Sequence, residues 1–108
     1  MGSIGPKTHK ALVIGLQIEL NRQFDRGLDV DGIFGPATKA ACVNVRRGAV
    51  GNITQLIQSM LYCRGYNPNG IDGIFGSGTE AAVKAFQRDN GLSADGIVGK
   101  NTFEKLFK

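Results

Sequence analysis

The side chains able to break a bond are few in this chain, and they do not assemble. His9 is the one histidine, and a single imidazole cannot complete a zinc triad. Ser59, Ser77 and Ser93 therefore lack a base to activate them, and Cys63 has no histidine near it in the sequence. A pair of carboxylates is enough to cleave a glycosidic bond, and the chain carries 9 Asp and Glu. Most of the Asp residues, however, fall in turn motifs. Glu19, Glu80 and Glu104 fall on helical patterns with their carboxylates expected toward solvent. Asp29-Val30-Asp31-Gly32 opens like a calcium loop, but position twelve of that loop, where a bidentate acid must stand, is Ala40. Cys42 and Cys63 alone cannot close a structural zinc site. Cys42 aligns with an apolar position of the repeat described below, so a buried free thiol is expected, with a disulfide between the two left open. The residues point to binding without catalysis, without a metal and without a cofactor.

The elements that must position any binding surface are organised by one short motif. Asp72-Gly73-Ile74-Phe75-Gly76 repeats Asp31-Gly32-Ile33-Phe34-Gly35, and Asp95-Gly96-Ile97-Val98-Gly99 is a third copy with one change. Thr38, Thr79 and Thr102 each follow three places after the last Gly, so the shared pattern is D-G-I-x-G-x-x-T. The Asp accepts hydrogen bonds from N–H groups just ahead of it and closes a turn. The first Gly supplies a positive φ at no steric cost. The apolar pair is expected to drop into the core. The last Gly precedes a helix start, with Pro36 suited to a first helical turn, and the Thr is expected to cap or lie in that turn with its hydroxyl on a free N–H. Asp31, Gly32, Gly35, Asp72, Gly73, Gly76, Asp95, Gly96 and Gly99 are read as scaffold, not as ligand contacts.

Helical periodicity fills the space between these turns. From Ala11, the residues Val13, Leu16, Leu20 and Phe24 make one apolar face. Pro36 to Val45 reads as a second helix. Asn52 is a candidate N-cap for a third, whose stripe is Ile53, Leu56, Ile57, Met60 and Leu61, ended by Gly65. Thr79 to Asn90 is a fourth, closed by Gly91, and a short fifth carries Phe103, Leu106 and Phe107. Asp72 stands 41 positions after Asp31, and the same offset pairs Leu16 with Ile57, Gln17 with Gln58, Leu20 with Leu61 and Ala41 with Ala82. This is an internal duplication. The expected fold is all-α: two fused three-helix repeats, residues 10–51 and 52–108, sharing the central helix from Ile53 and one continuous core. Residues 1–9 are expected to be a frayed tail, with Met1-Gly2-Ser3 an expression scar.

The 108 residues carry a net charge of +4 and 42% apolar side chains. The charge favours polyanionic partners weakly, and the composition supports a packed core. No apolar run approaches the roughly 20 residues that a membrane helix needs. No small-residue cleavage site follows an apolar stretch, so no signal peptide is read here.

Gly48-Ala49-Val50-Gly51, then Leu56-Ile57-Gln58, Gly65-Tyr66, Asp72 to Thr79, Ala82 to Gln87, Gly91-Leu92 and Asp95 to Thr102 together resemble the common peptidoglycan-binding domain over residues 48–107. Residues 11–47 resemble another, divergent copy, with Val45-Arg46 where residues 48–107 have Phe86-Gln87. The resemblance implies a three-helix bundle that holds a wall-cleaving enzyme, such as an amidase or muramidase of an endolysin or autolysin, on its polymer at the bacterial cell wall. It makes peptidoglycan the partner, both glycan and stem peptide, together with an attached catalytic domain, and neither nucleic acid nor membrane. A shallow groove with an aromatic floor, amides and a cation suits that polymer. Tyr62, Arg64, Tyr66, Asn67 and Asn69 supply those groups around one loop, with Gln87 near the same rim. Arg64 is the expected partner of a stem-peptide carboxylate, and Tyr62 or Tyr66 of a sugar face. The alternative is a small basic DNA-binding or protein-interaction module, although the candidate recognition helices carry Ala, Glu and Phe more than Arg, Asn or Gln.

Overall fold

The computed structural model describes residues 5–108, so Met1-Gly2-Ser3 lies outside the described residues. Five helices follow one another: α1 (Pro6–Phe24), α2 (Pro36–Ala41), α3 (Asn52–Cys63), α4 (Ser77–Asp89) and α5 (Lys100–Phe107). The fold is all-helical, as expected, and no β-strand forms among the described residues.

The helix boundaries correct the sequence reading in three places. First, α1 begins at Pro6, not Ala11, because Pro6 has the fixed φ that suits a first turn. Its first residues are exposed, so this added turn buries little. Phe24, expected inward, ends the helix 41% exposed, with the Arg26 guanidinium 5.7 Å above its ring. Second, α2 stops at Ala41, short of Val45. The chain then runs extended because its backbone finds other partners. Val45 and Val98 exchange N–H···O bonds of 3.0 and 2.8 Å, and Phe75 N–H donates to Ala49 at 2.9 Å while Gly48 and Gly51 N–H donate to Phe75 and Gly73. This connector, from Cys42 to Gly51, is thus stitched to both later copies of the turn motif. Third, Asn52 is the first residue of α3, not its cap. Gly51, at φ 135°, precedes it, and the Asn52 amide reaches Glu19 instead, at 3.2 Å.

The ends of α3 and α4 are as their glycines suggest. Gly65 and Gly91 have φ of 93° and 71°. Tyr66 N–H bonds Leu61 O and Leu92 N–H bonds Gln87 O, the six-to-one bond that satisfies the last carbonyls of a helix.

The interior is one apolar cluster, running from Val13, Leu16 and Leu20 through Ile57, Met60 and Leu61 to Phe103, Leu106 and Phe107. Helix α3 packs on α1, α4 and α5, while α2 packs on α5. Phe75 and Phe86 are buried core residues, as expected. Cys42 is a buried free thiol and Cys63 a half-buried one. Burial pushes the Cys42 thiol up to about 12.

Candidate functional site

The three turn motifs fold the same way, and each is closed by a residue outside the motif. Asp31, Asp72 and Asp95 each accept the N–H two residues ahead, from Ile33, Ile74 and Ile97, at 3.0, 3.0 and 2.9 Å. Gly32, Gly73 and Gly96 have φ of 75°, 77° and 75°, a region that side chains disfavour. Of the apolar pair only the second residue goes inward: Phe34, Phe75 and Val98 are buried, whereas Ile33 and Ile74 are 67% and 54% exposed. Gly35, Gly76 and Gly99 are the N-cap residues, and no side chain caps α2, α4 or α5.

The threonines do not cap either. Thr38, Thr79 and Thr102 are buried third residues of their helices, and their hydroxyls accept from Gln17, Gln58 and Gln87 at 3.1, 2.9 and 3.1 Å. Each of these glutamine amides also donates to the motif Asp and to the carbonyl of the motif Ile. Each takes the N–H of the motif's first Gly on its Oε1, at 2.9, 2.9 and 3.0 Å. The result is a Gln–Asp–Thr clasp, built three times, in which every buried side-chain polar atom among the described residues finds a partner. These bonds hold the carboxyls of Asp31 and Asp72 below the usual carboxylate range, the Ile33 and Ile74 N–H groups being the larger cause and the glutamines the next.

Sequence reasoning missed the glutamines. Gln17 and Gln58 hold equal positions in the two copies, and both stand 14 residues before the motif Asp. Gln87, expected at the ligand rim, is corrected by the structure: it is 1% exposed and its amide is fully engaged in the third clasp.

The remaining expected residues lie on the α3–α4 connection. Tyr62, on the last turn of α3, is 45% exposed, and Asn67 and Asn69 are exposed. Asn67 Oδ1 accepts the Asn69 N–H at 2.9 Å, and Asn69 sits at φ 62°. Arg64 and Tyr66 are tied down. Arg64 Nε donates to Leu106 O at 2.8 Å, bracing the connection on α5. The Tyr66 ring meets Phe86 edge-on, 5.4 Å between centroids, and its hydroxyl donates to Asp89 at 2.6 Å, which raises the phenol's pKa.

The structure shows a cleft elsewhere, over the third clasp. It encloses about 510 Å³ between the connector, the third motif and the start of α5. Asn44, Ser93, Asp95 and Asn101 give it polar walls, Leu92 and Ile97 an apolar patch, and Gln87 lies beneath. A second groove of about 310 Å³ runs between α1 and α3, past Gly15, Ile18 and Leu56. Among the described residues no three His, Cys, Asp or Glu side chains gather as a metal site.

Comparison with known proteins gives this geometry a context. Residues 50–106 match the peptidoglycan binding domain family. Over 98% of its length the chain aligns at 36% identity with FadG, an uncharacterized protein of Bacillus subtilis strain 168, of which it spans 19%. Over 98% it also aligns at 34% identity with a probable N-acetylmuramoyl-L-alanine amidase of Bacillus licheniformis, of which it spans 36%. A solved peptidoglycan-binding protein of Clostridioides difficile, in complex with glutamine hydroxamate, superposes with a TM-score of 0.58 at 48% identity over 60% of this chain and 40% of that one.

Proposed function

The chain belongs to the peptidoglycan binding domain family, and from that premise we propose that it binds bacterial cell-wall peptidoglycan without cleaving it and holds an attached hydrolase on the polymer. The observation that carries this reading is the family match over residues 50–106. The alignment with an amidase, of which the chain spans only 36%, supports an arrangement in which binding and cutting sit in different parts of one protein. Confinement to the wall then raises the local concentration of the catalytic part, and two linked binding units multiply the effect. The comparisons give the DNA-binding alternative no support.

In this reading residues 10–51 and 52–108 are two fused repeats that share α3. The packing of α3 on α1, α4 and α5 and the equal clasps at Gln17 and Gln58 support it. The first repeat has no second clasp: residues 10–51 hold one copy of the turn motif, and Arg46 stands where Gln87 stands in the second repeat. Tyr62, Asn67 and Asn69 form the exposed contact with the wall, and Arg64 and Tyr66 hold that connection in place.

The test is sedimentation of the chain with purified sacculi, intact and stripped of teichoic acid. The chain is expected to pellet with both and to leave the turbidity of intact cells unchanged. Arg64→Ala and Tyr66→Ala are expected to pellet less. Equal pelleting of these variants would remove the α3–α4 connection from the binding face, and no pelleting of the parent would remove the function.

A further inference from the structure

The cleft over the third clasp has the chemistry of a peptide site, and we infer that it receives the stem peptide of peptidoglycan through the peptide's internal amides. The inference rests on the wall-binding reading and deepens it by naming which part of the polymer is read and where.

Three side chains on its walls are polar and free. Among the described residues, the carboxamides of Asn44 and Asn101 and the hydroxyl of Ser93 make no hydrogen bond within the protein, although all three line the cleft. These three residues are exposed, as is Asn69 with its unbonded carboxamide, whereas the less exposed amides are engaged: Asn21 grips both backbone groups of Leu28, Asn90 donates to Phe86 O, and the clasp glutamines are saturated. Each free carboxamide offers a donor and an acceptor, which is the pairing a peptide unit presents. Leu92 and Ile97, both half-buried, give small apolar side chains such as alanine methyls a surface to lie on.

The charges decide against the other parts of the polymer. Lys100 is the cation at the cleft, and its Nζ donates to Ala40 O and Cys42 O at 2.8 and 2.9 Å, so it is committed to the end of α2. The cleft thus carries one cation and one anion, Lys100 and Asp95, so a terminal carboxylate gains no net attraction there, while the Asp95 carboxylate favours N–H donors. No Tyr, Phe or Trp lines the cleft, so a sugar ring finds no face to stack on. What remains is the interior of the peptide.

The experiment is a titration of the isotope-labelled full chain, followed by amide NMR shifts, with a synthetic stem tetrapeptide amidated at its C-terminus and separately with an N-acetylglucosamine oligomer. The peptide is expected to shift the amides of residue 44 and residues 93–101. Asn44→Ala and Asn101→Ala are each expected to weaken its binding about 5- to 10-fold, the loss of about one hydrogen bond. Gly99→Ala serves as a second block: its φ of −96° admits alanine, and the new Cβ would stand 3.1 Å from Asn44 Oδ1, crowding the cleft. Shifts from the sugar oligomer at these residues, shifts from the peptide only elsewhere, or unchanged peptide binding by all three variants would overturn the inference. Sedimentation of the parent with sacculi separates the two readings: a parent that pellets, with variants that pellet equally well, fails the cleft alone, whereas a parent that does not pellet fails the wall-binding reading.

Discussion

Gln58→Leu removes the hub of the second clasp while keeping the side chain close to the same size. Four hydrogen bonds disappear: three from Nε2, to Asp72 Oδ1, Ile74 O and Thr79 Oγ1 at 3.2, 3.0 and 2.9 Å, and one to Oε1 from Gly73 N–H at 2.9 Å. Asp72 and Ile74 are exposed and can turn to water, but Gly73 and Thr79 are buried. Two buried polar groups are thus left without partners, at about 1–3 kcal/mol each. The apolar burial gained by leucine offsets part of this. A net loss of about 2–4 kcal/mol follows, or roughly 10–15 °C in Tm for a domain of this size. Urea and thermal unfolding followed by circular dichroism measure it. Gln55→Leu is the control, because Gln55 is exposed and its one contact, to Ile71 O, is long at 3.5 Å; it should stay within about 0.5 kcal/mol of the parent. The two clasp partners should also couple: Thr79→Val should cost about 1 kcal/mol less in the Gln58→Leu background than alone. A Gln58→Leu protein as stable as the Gln55→Leu control would refute the reasoning, for the amide would then be an incidental polar group on a helix.

Gly73→Ala should destabilise well beyond Gly27→Ala, measured by the same unfolding curves. Both positions have positive φ, but a Cβ at Gly73 meets the Gly51 carbonyl oxygen at 3.1 Å, whereas nothing lies within 4 Å at Gly27. Stability should fall in acid. The folded-state pKa values of Asp31 and Asp72 lie below the ordinary 3.8, so their contribution is present above about pH 3.8 and is lost as pH drops through the lower folded values. Asp31→Asn with Asp72→Asn should flatten Tm against pH below the ordinary 3.8, and an unchanged slope would count against the clasps as its source. In native protein, thiol titration with a chromogenic disulfide should modify Cys63 before Cys42, which is 3% exposed and has its thiol pushed up to about 12; equal rates would contradict that environment.

The turn motif was readable because Asp, Gly and Ile each have one strong local preference, and those preferences are short-range. The helix faces of α3 and α5 were readable for the same reason, through their apolar stripes. What the sequence hid was the partner each element would meet. Gln17, Gln58 and Gln87 look like solvent-facing helix residues until the loop that needs an amide is placed over them. Their common offset in two copies was the available signal, and it was visible only as a match, not as a bond. The early end of α2 was similarly hidden, since Val43-Asn44-Val45 can continue a helix. Its alternation of half-buried, exposed and buried is the mark of extended chain, and it depends on Val98, far along the sequence. The site was less legible than the fold. Tyr62, Asn67 and Asn69 are on the surface as expected, but Gln87 is structural, and the cleft joins Asn44 to Asn101 across a distance that no local pattern encodes.

The separation of the bonded residues orders events in time. The glutamines reach only 14, 14 and 8 residues ahead to their aspartates, so a chain leaving the ribosome can close each loop soon after it emerges. The exchange between Val45 and Val98 and the Lys39–Glu104 pair, 65 residues apart, must wait for almost the whole sequence. During synthesis the first two clasps therefore have all their residues available before the connector can pair with Val98 or α2 with α5.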